Sequence, residues 1–465
     1  MLQTPGALSA AVSNTPAESA AEENAIRDHI VGNLYSCAAD IAARAVRRPP
    51  QQTDWNRRID DVITSRRLGF PIMLALLGGV LWLTVAGANY PSKCLCTCLF
   101  WFQDRLTDFF RWAGMPGWVH GLLVMGIYRT VAWVVSVMLP PLIIFFFLFA
   151  LLEDSGYLPR VAFNLDRVFK KAGGHGKQSL TMSMGFGCNA VGVMACRIIE
   201  SPRERLIAVL TNVFVPCNGR FPTIIALSSI FMGGAAAGSN GLPAASAAVA
   251  AMIMTGVAVT FAMTWLLSRT LLKGVPSCFI LELPPYRKPQ INRILLSALL
   301  NRTAFVLARA VLVAAPAGAV TWVLANVHAG DLSILDRIAC RLDPFGHAIG
   351  LDGFIVTAFI MGLPANEIVL PILVMGYVSS GTLIEPQSLE ALKTLLMEHH
   401  GWTWLTAFST MLFSLLHFPC GTTLLTIFRE TGSIKWTLFS LFMPLLIGIL
   451  VTLTLAQSVR FLGFG

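Results

Sequence analysis

The sequence predicts an all-α, polytopic transmembrane helical bundle in two halves, each containing broken or re-entrant helices. Of 465 residues, 55% are hydrophobic and only 13% charged, whereas soluble domains carry about 25% charged residues. Apolar runs of the roughly 20 residues needed to cross a bilayer recur along the chain. One polar interruption is also written twice inside such runs, as VPCNGRFPT (Val215–Thr223) and FPCGTT (Phe418–Thr423). Each copy follows a second break, GFGCN (Gly185–Asn189) or LPANE (Leu363–Glu367). Proline removes a backbone donor and glycine loosens a helix. Within hydrocarbon, such breaks survive only where protein or a water-filled cavity satisfies the freed groups. Paired breaks in corresponding parts of two halves point to a transported substrate's site.

Residues 1–24, rich in Ala, Ser, Thr and Pro, lack an apolar core and read as a disordered tail. Residues 25–67 read as a cytoplasmic amphipathic helical segment, interrupted at Pro49–Pro50. The first transmembrane half, 68–275, contains spans at Leu68–Gly87, Val119–Leu152, Leu206–Met232 and Ala244–Leu267. Val119–Leu152 is long enough for two elements divided at Pro140–Pro141, and glycine-rich Leu180–Ile199 reads as a broken or re-entrant helix. A polar, proline-containing connection follows at 276–301. The second half, 302–465, contains spans at Ala304–Val327, Leu351–Val374, Trp402–Phe428 and Trp436–Leu455. His328–Asp343 reads as an external polar loop, and Ser379–Gly401 as an insertion between the two breaks.

The net charge of +9 is spread over loops. Arg57, Arg58, Arg66 and Arg67 precede the first span; Arg160, Arg167, Lys170, Lys171 and Lys177 follow the second hydrophobic block; Arg269, Lys273, Arg287, Lys288, Arg293 and Arg302 surround the connection. The positive-inside rule makes these regions, and the N-terminus, cytoplasmic. The excess charge therefore expresses topology and does not mark a nucleic-acid partner. Ten cysteines in so long an apolar chain are no disulfide framework.

The chemistry lies at the breaks. Cys188, Cys217 and Cys420 offer soft sulfur ligands suited to late or borderline divalent metals, and Asn189, Asn366 and Glu367 add oxygens from the same breaks. A charged Glu at mid-membrane depth costs about 2.5–3.5 kcal/mol on insertion scales, so it faces a cavity or a partner. His417 reads as an auxiliary ligand or a packed histidine, and Glu153–Asp154 as a cation-attracting mouth or a solvated helix end. Cys94, Cys96 and Cys98 alternate, which on an extended strand would put three thiols on one side, so the run reads as metal capture at an external mouth, disulfide chemistry or lipid-facing filler. Gly173–Ser179 (GGHGKQS) fails as a phosphate loop: Lys171 and Gln178 occupy positions requiring Gly and Ser/Thr. No Ser-His-Asp, HExxH or paired-carboxylate arrangement argues for an enzyme.

LEDSGY (Leu152–Tyr157), MGFGCN (Met184–Asn189), PRERL (Pro202–Leu206), ELPPYR (Glu282–Arg287), PANEIVL (Pro364–Leu370) and HFPCGTT with RETGS (His417–Thr423, Arg429–Ser433) occur in one order. Together they resemble the membrane domain of bacterial ferrous iron transport protein B, from about residue 25 to the C-terminus. The resemblance implies two Gate repeats at the paired breaks, Fe2+ as the transported substrate, an inner-membrane location and metal ligation at Cys188, Cys217 and Cys420. Members commonly read GCNVPA where Ala190–Val191 stand here, and they usually begin with a GTP-binding domain. Met1 stands just before what resembles the linker after that domain. A separate GTP-binding subunit is therefore expected, with small iron-uptake accessory proteins; a homo-oligomer is compatible. The rival expectations are a nucleoside-type organic solute carrier and a non-transporting membrane scaffold that binds a G protein through 25–67.

Overall fold

The computed structural model describes residues 16–45, 55–65, 67–233, 241–274, 286, 291, 303–330, 332–383 and 388–463. The expected 276–301 connection thus lies outside the described residues, except at Tyr286 and Ile291. The chain divides into two compact units, Met1–Asp61 and Val62–Gly465. The first contains α1 (Pro16–Ala45) and most of α2 (Trp55–Ile63). Helix α1 starts at Pro16, inside the stretch read as a disordered tail, because Ala and Glu at 17–23 are strong helix formers.

Among the described residues of the second unit, the one extended pairing is a two-residue hairpin, His328–Ala329 with Leu332–Ser333, and the regular elements are otherwise helices. Six described helical segments are long and apolar enough to cross a membrane. Helix α3 (Gly69–Trp112) has 44 residues. At 1.5 Å per residue it is about 66 Å long, twice the hydrocarbon thickness. Its first half is the expected span; Lys93, Asp104, Arg105, Asp108 and Arg111 lie on the second half. The CxCxC run is therefore helical, not extended. Residues two apart on a helix point to opposite sides, so only Cys94 and Cys98 share a face.

Helix α4 (Gly117–Asp154) returns alongside α3 and is a single element across Pro140–Pro141, contrary to the expected division. Both prolines are buried among neighbouring helices, the setting in which a membrane helix tolerates the missing donors. The helix does loosen elsewhere, into a π-helical stretch at Gly121–Tyr128. Amphipathic α5 (Tyr157–Lys171) then leads into the first set of short helices.

That set is α6 (Gln178–Gly187), α7 (Asn189–Ala195), α8 (Pro202–Thr211) and α9 (Phe221–Phe231), followed by the long α10 (Gly241–Arg269). The second half begins with α11 (Ala304–Asn326). The polar 328–343 stretch, read as a loop, is largely helix α12 (Ile334–Ala348), started by a reciprocal Ser333–Asp336 capping box. It meets α13 (Gly353–Met361) at a 110° bend. Next come α14 (Val369–Val378), the short α15 (Leu389–Lys393), α16 (Trp404–Leu416), α17 (Gly421–Thr431) and α18 (Ile434–Phe461). The main core packs α8 and α9 of one half against α13, α14 and α16 of the other.

Candidate metal pathway

Four chain breaks interrupt these short helices, two per half, and their backbones correspond. Cys188, between α6 and α7, is extended at φ −155°, ψ 121°. Ala365, ahead of Asn366, takes nearly the same values, −152° and 126°. In both places the next residue is an asparagine that starts a helical turn. The second breaks are Pro216–Cys217, before α9, and Pro419–Cys420, where Cys420 takes the N-cap position of α17.

All six sequence-predicted ligand residues line one cavity. Cys188, Asn189, Cys217, Asn366, Glu367 and Cys420 surround it, closed by Gly187, Asn218, Gly219, Pro364 and Thr422, among others. Its volume is about 30 Å³, enough for an ion or a water, whose share of liquid volume is about 30 Å³. Sites for drug-sized ligands take roughly 300–1,000 Å³. The Asn366 amide donates to Cys217 Sγ at 3.9 Å, joining the halves, while its carbonyl oxygen is buried with no hydrogen-bond partner. Cys420 Sγ lies 3.2 Å from the Thr423 hydroxyl. A Cβ at position 219 would overlap the Glu367 carboxylate, so the glycine makes the space that side chain occupies. Gly187 similarly admits the Phe145 ring behind the Cys188 break.

Among the described residues, no three His, Cys, Asp or Glu side chains converge closely enough to hold one ion together. The thiols share a cavity without forming a closed coordination sphere. Asn189, with its amide placed to satisfy both ends, donates to Val215 O and Gly185 O at 3.1 Å each. It thereby ties the Cys188 break to the Pro-Cys break of its own half.

His417 does not line the cavity. It is buried, its Nδ1 meets Ser414 O at 2.8 Å, and its ring packs among Phe359, Phe413 and Phe418. Those contacts fit the packed-histidine alternative. Glu153 and Asp154 are exposed at the end of α4.

Two arrangements escaped the sequence reading. The first is Arg220, 1% exposed, whose guanidinium donates to Val213 O (3.2 Å) in its own half and to Leu415 O (2.7 Å), His417 O (3.1 Å) and Phe418 O (3.5 Å) in the other. A cation there satisfies carbonyls left over at the end of α16 and complements the helix dipole. An arginine two residues before a proline inside an apolar block was the available signal, since an intramembrane charge demands a partner. The second is Arg197, just beyond α7, which meets Glu430 of α17 in a two-pronged ion pair at 2.7 Å per bond. Its partners are 233 positions apart, so nothing local in the sequence announces it.

A family model for the Gate domain, described as nucleoside recognition, matches residues 135–231 and 307–434. A model for the ferrous iron transport protein B C terminus matches 249–300. The Fe(2+) transporter FeoB of Staphylococcus aureus (strain MSSA476) is 28% identical over 446 residues, covering 94% of this chain and 63% of its own length. That of Methanocaldococcus jannaschii is 27% identical, covering 92% and 62%. A Porphyromonas gingivalis Fe(2+) transport protein A/Fe(2+) transporter FeoB fusion is 27% identical, covering 90% and 53%. The chain thus spans somewhat under two thirds of these relatives' length. No solved structure matches significantly. The two Gate matches enclose the two sets of breaks, and the chain matches, in one continuous order, the Gate model and, between its two parts, the model for the ferrous iron transport protein B C terminus.

Proposed function

We propose that this chain is a permease for Fe2+, passing the ion between its two sets of broken helices. One observation carries the reading: six potential ligands from both halves face a single cavity of about 30 Å³. That size suits a dehydrated ion. It weighs against a nucleoside, which the Gate description would otherwise suggest, because an organic solute needs roughly ten times the space.

The mixed donors suit the cargo. Thiolates alone favour zinc or copper over iron, whereas amide and carboxylate oxygens shift a site toward harder ions. Asn366 offers an unpartnered buried oxygen, and Glu367 has no ion-pair partner among the described residues. With no three charged or thiol ligands converging on a point among the described residues, binding stays weak enough for release, as conduction requires. The halves would then move about the breaks, relaying the ion among Cys188, Cys217 and Cys420.

Basic residues gather at one end of the bundle. Lys177 pairs with Glu200 at 3.0 Å, Arg203 donates to Leu272 O, and the Ser268 hydroxyl donates to Ala172 O, joining the ends of α5, α8 and α10. The positive-inside rule makes this the cytoplasmic end of an inner-membrane protein. A small accessory protein belongs to the reading because the Porphyromonas gingivalis relative is fused to one. A GTP-binding part, on this polypeptide or a second one, belongs to it as well.

The test is Fe2+ flux into liposomes containing this chain, with and without a GTP-binding subunit and GTP. Cys217→Ser should abolish flux at normal protein levels. Unchanged flux would remove Cys217 as a ligand, and nucleoside uptake without Fe2+ flux would replace the reading.

A further inference from the structure

Away from the ion cavity, α3, α4, α5, α6 and α10 enclose a second cavity of about 290 Å³. Its walls are apolar, with Val80, Phe149, Val161 and Phe261 typical of them. The hydroxyls of Ser179 and Ser183, which also face it, are turned back onto their own chain, donating to Gly176 O and Ser179 O at 2.7 and 2.9 Å. They leave no polar demand inside. Such a space suits a hydrocarbon chain.

The mouth indicates which hydrocarbon. Phe70, Leu74 and Met254 line the cavity and are exposed at 39%, 56% and 59%. They belong to α3 and α10, both long enough to cross the membrane, and Met254 lies near the middle of α10. The opening therefore faces lipid from the start of the α3 span to the hydrocarbon depth of Met254. Beside the start of α3, where the Asn164 amide donates to Ile63 O at 2.9 Å, the wall is α5, an amphipathic helix whose apolar side (Leu158, Val161, Leu165) lines the cavity. Exposed Arg67, three residues before Phe70 at the mouth, stands where a headgroup would lie.

We propose that this cavity is a binding site for one acyl chain of an anionic phospholipid, whose phosphate rests on Arg67. The site backs onto the ion pathway. Phe145, a cavity wall, fills the space left by Gly187 beside Cys188, and Phe186 of the same break is also a wall. A bound chain thus braces the first broken helix from behind.

The test is native mass spectrometry of the full chain released from nanodiscs of mixed phosphatidylglycerol and phosphatidylcholine, a readout independent of any transport activity. Wild type should retain one phosphatidylglycerol in preference to phosphatidylcholine. Met254→Trp and, separately, Leu74→Trp put bulk at the exposed mouth without entering the packed bundle. Each should reduce retention roughly tenfold, the equivalent of about two methylenes no longer buried. Arg67→Gln should keep a lipid but lose the headgroup preference. Equal retention by wild type and both tryptophan variants, or no headgroup preference in wild type, would overturn the proposal.

Discussion

Replacing Arg220 tests whether the two Pro-Cys breaks are held together as one unit. The guanidinium makes four contacts to backbone carbonyls, three of them at 2.7–3.2 Å. Hydrogen bonds to a charged group contribute about 1.5–3 kcal/mol each. A simple sum overstates their worth, because burying the guanidinium is itself costly. Breaking a buried charged arrangement by removing one partner costs about 3–5 kcal/mol. For Arg220→Met that is roughly two to four powers of ten in the ratio of docked to undocked loops. Arg220→Lys keeps the charge but lacks the planar fork, so it should recover only part. In a background whose sole cysteine is Cys217, itself buried, maleimide labelling should accelerate strongly in the methionine variant and moderately in the lysine variant. Fe2+ flux in the native-cysteine background should fall in the same order. Wild-type labelling and thermal stability in Arg220→Met would refute the bracing role.

Gly219→Ala should lower Fe2+ flux about 10- to 100-fold, the range expected for overpacking a tight site, because its Cβ meets the Glu367 carboxylate. Adding Glu367→Asp, one methylene shorter, should restore part of the flux; no rescue would mean the collision is not the cause. Neutralising the Arg197–Glu430 pair with Glu430→Gln should make liposomes leak Fe2+, since the pair pins together the far ends of α7 and α17, whose near ends carry Cys188 and Cys420. The exchange Arg197→Glu/Glu430→Arg should reseal them, and equal leak in all three proteins would exclude a closing role. His175, in the loop after α5, accepts the Lys177 N–H at Nδ1, and burial holds it below the usual imidazole range, with Lys177 adding to the lowering and Glu204, Asp166 and Glu200 opposing it. The unfolded chain therefore takes up this proton first, near pH 6.5. The stability it contributes is complete above that pH and is lost as pH falls toward the folded value. Amide exchange in 172–178 should accelerate from about pH 7.5 to about pH 5.5, beyond the intrinsic chemical dependence. His175→Asn, which keeps an acceptor but cannot titrate, should abolish that change.

The membrane character and the cavity at the breaks were legible because both leave local marks. Twenty apolar residues declare a span wherever they occur, and a Pro-Cys or Gly-Cys-Asn break inside one has no stable place except a protein-lined site. Asn366 and Glu367 were readable for the same reason. What could not be read depends on neighbours distant in sequence. Pro140–Pro141 looked like a division, yet packing on both sides of α4 keeps the helix continuous. Cys94, Cys96 and Cys98 suggested a strand by their alternation, but α3 continues past its apolar span because α4 lies along it. The same limit hid the Arg220 brace and the Arg197–Glu430 pair.

The near-identity of the backbone at Cys188 and Ala365 shows what a repeated frame can do that a single site cannot. Both halves present an extended residue followed by an asparagine, but the first half puts a thiol at the extended position and the second a methyl group. Asn189 spends its amide on Val215 O and Gly185 O, whereas Asn366 keeps a free oxygen and is followed by Glu367. One half thus supplies mainly sulfur and the other mainly oxygen, from equivalent positions on either side of a single cavity. On the proposed reading, an ion of intermediate softness is the cargo that gains from both, and it gains little enough from either to move on. In that reading the repeat supplies the passage, and its departures from symmetry supply the discrimination.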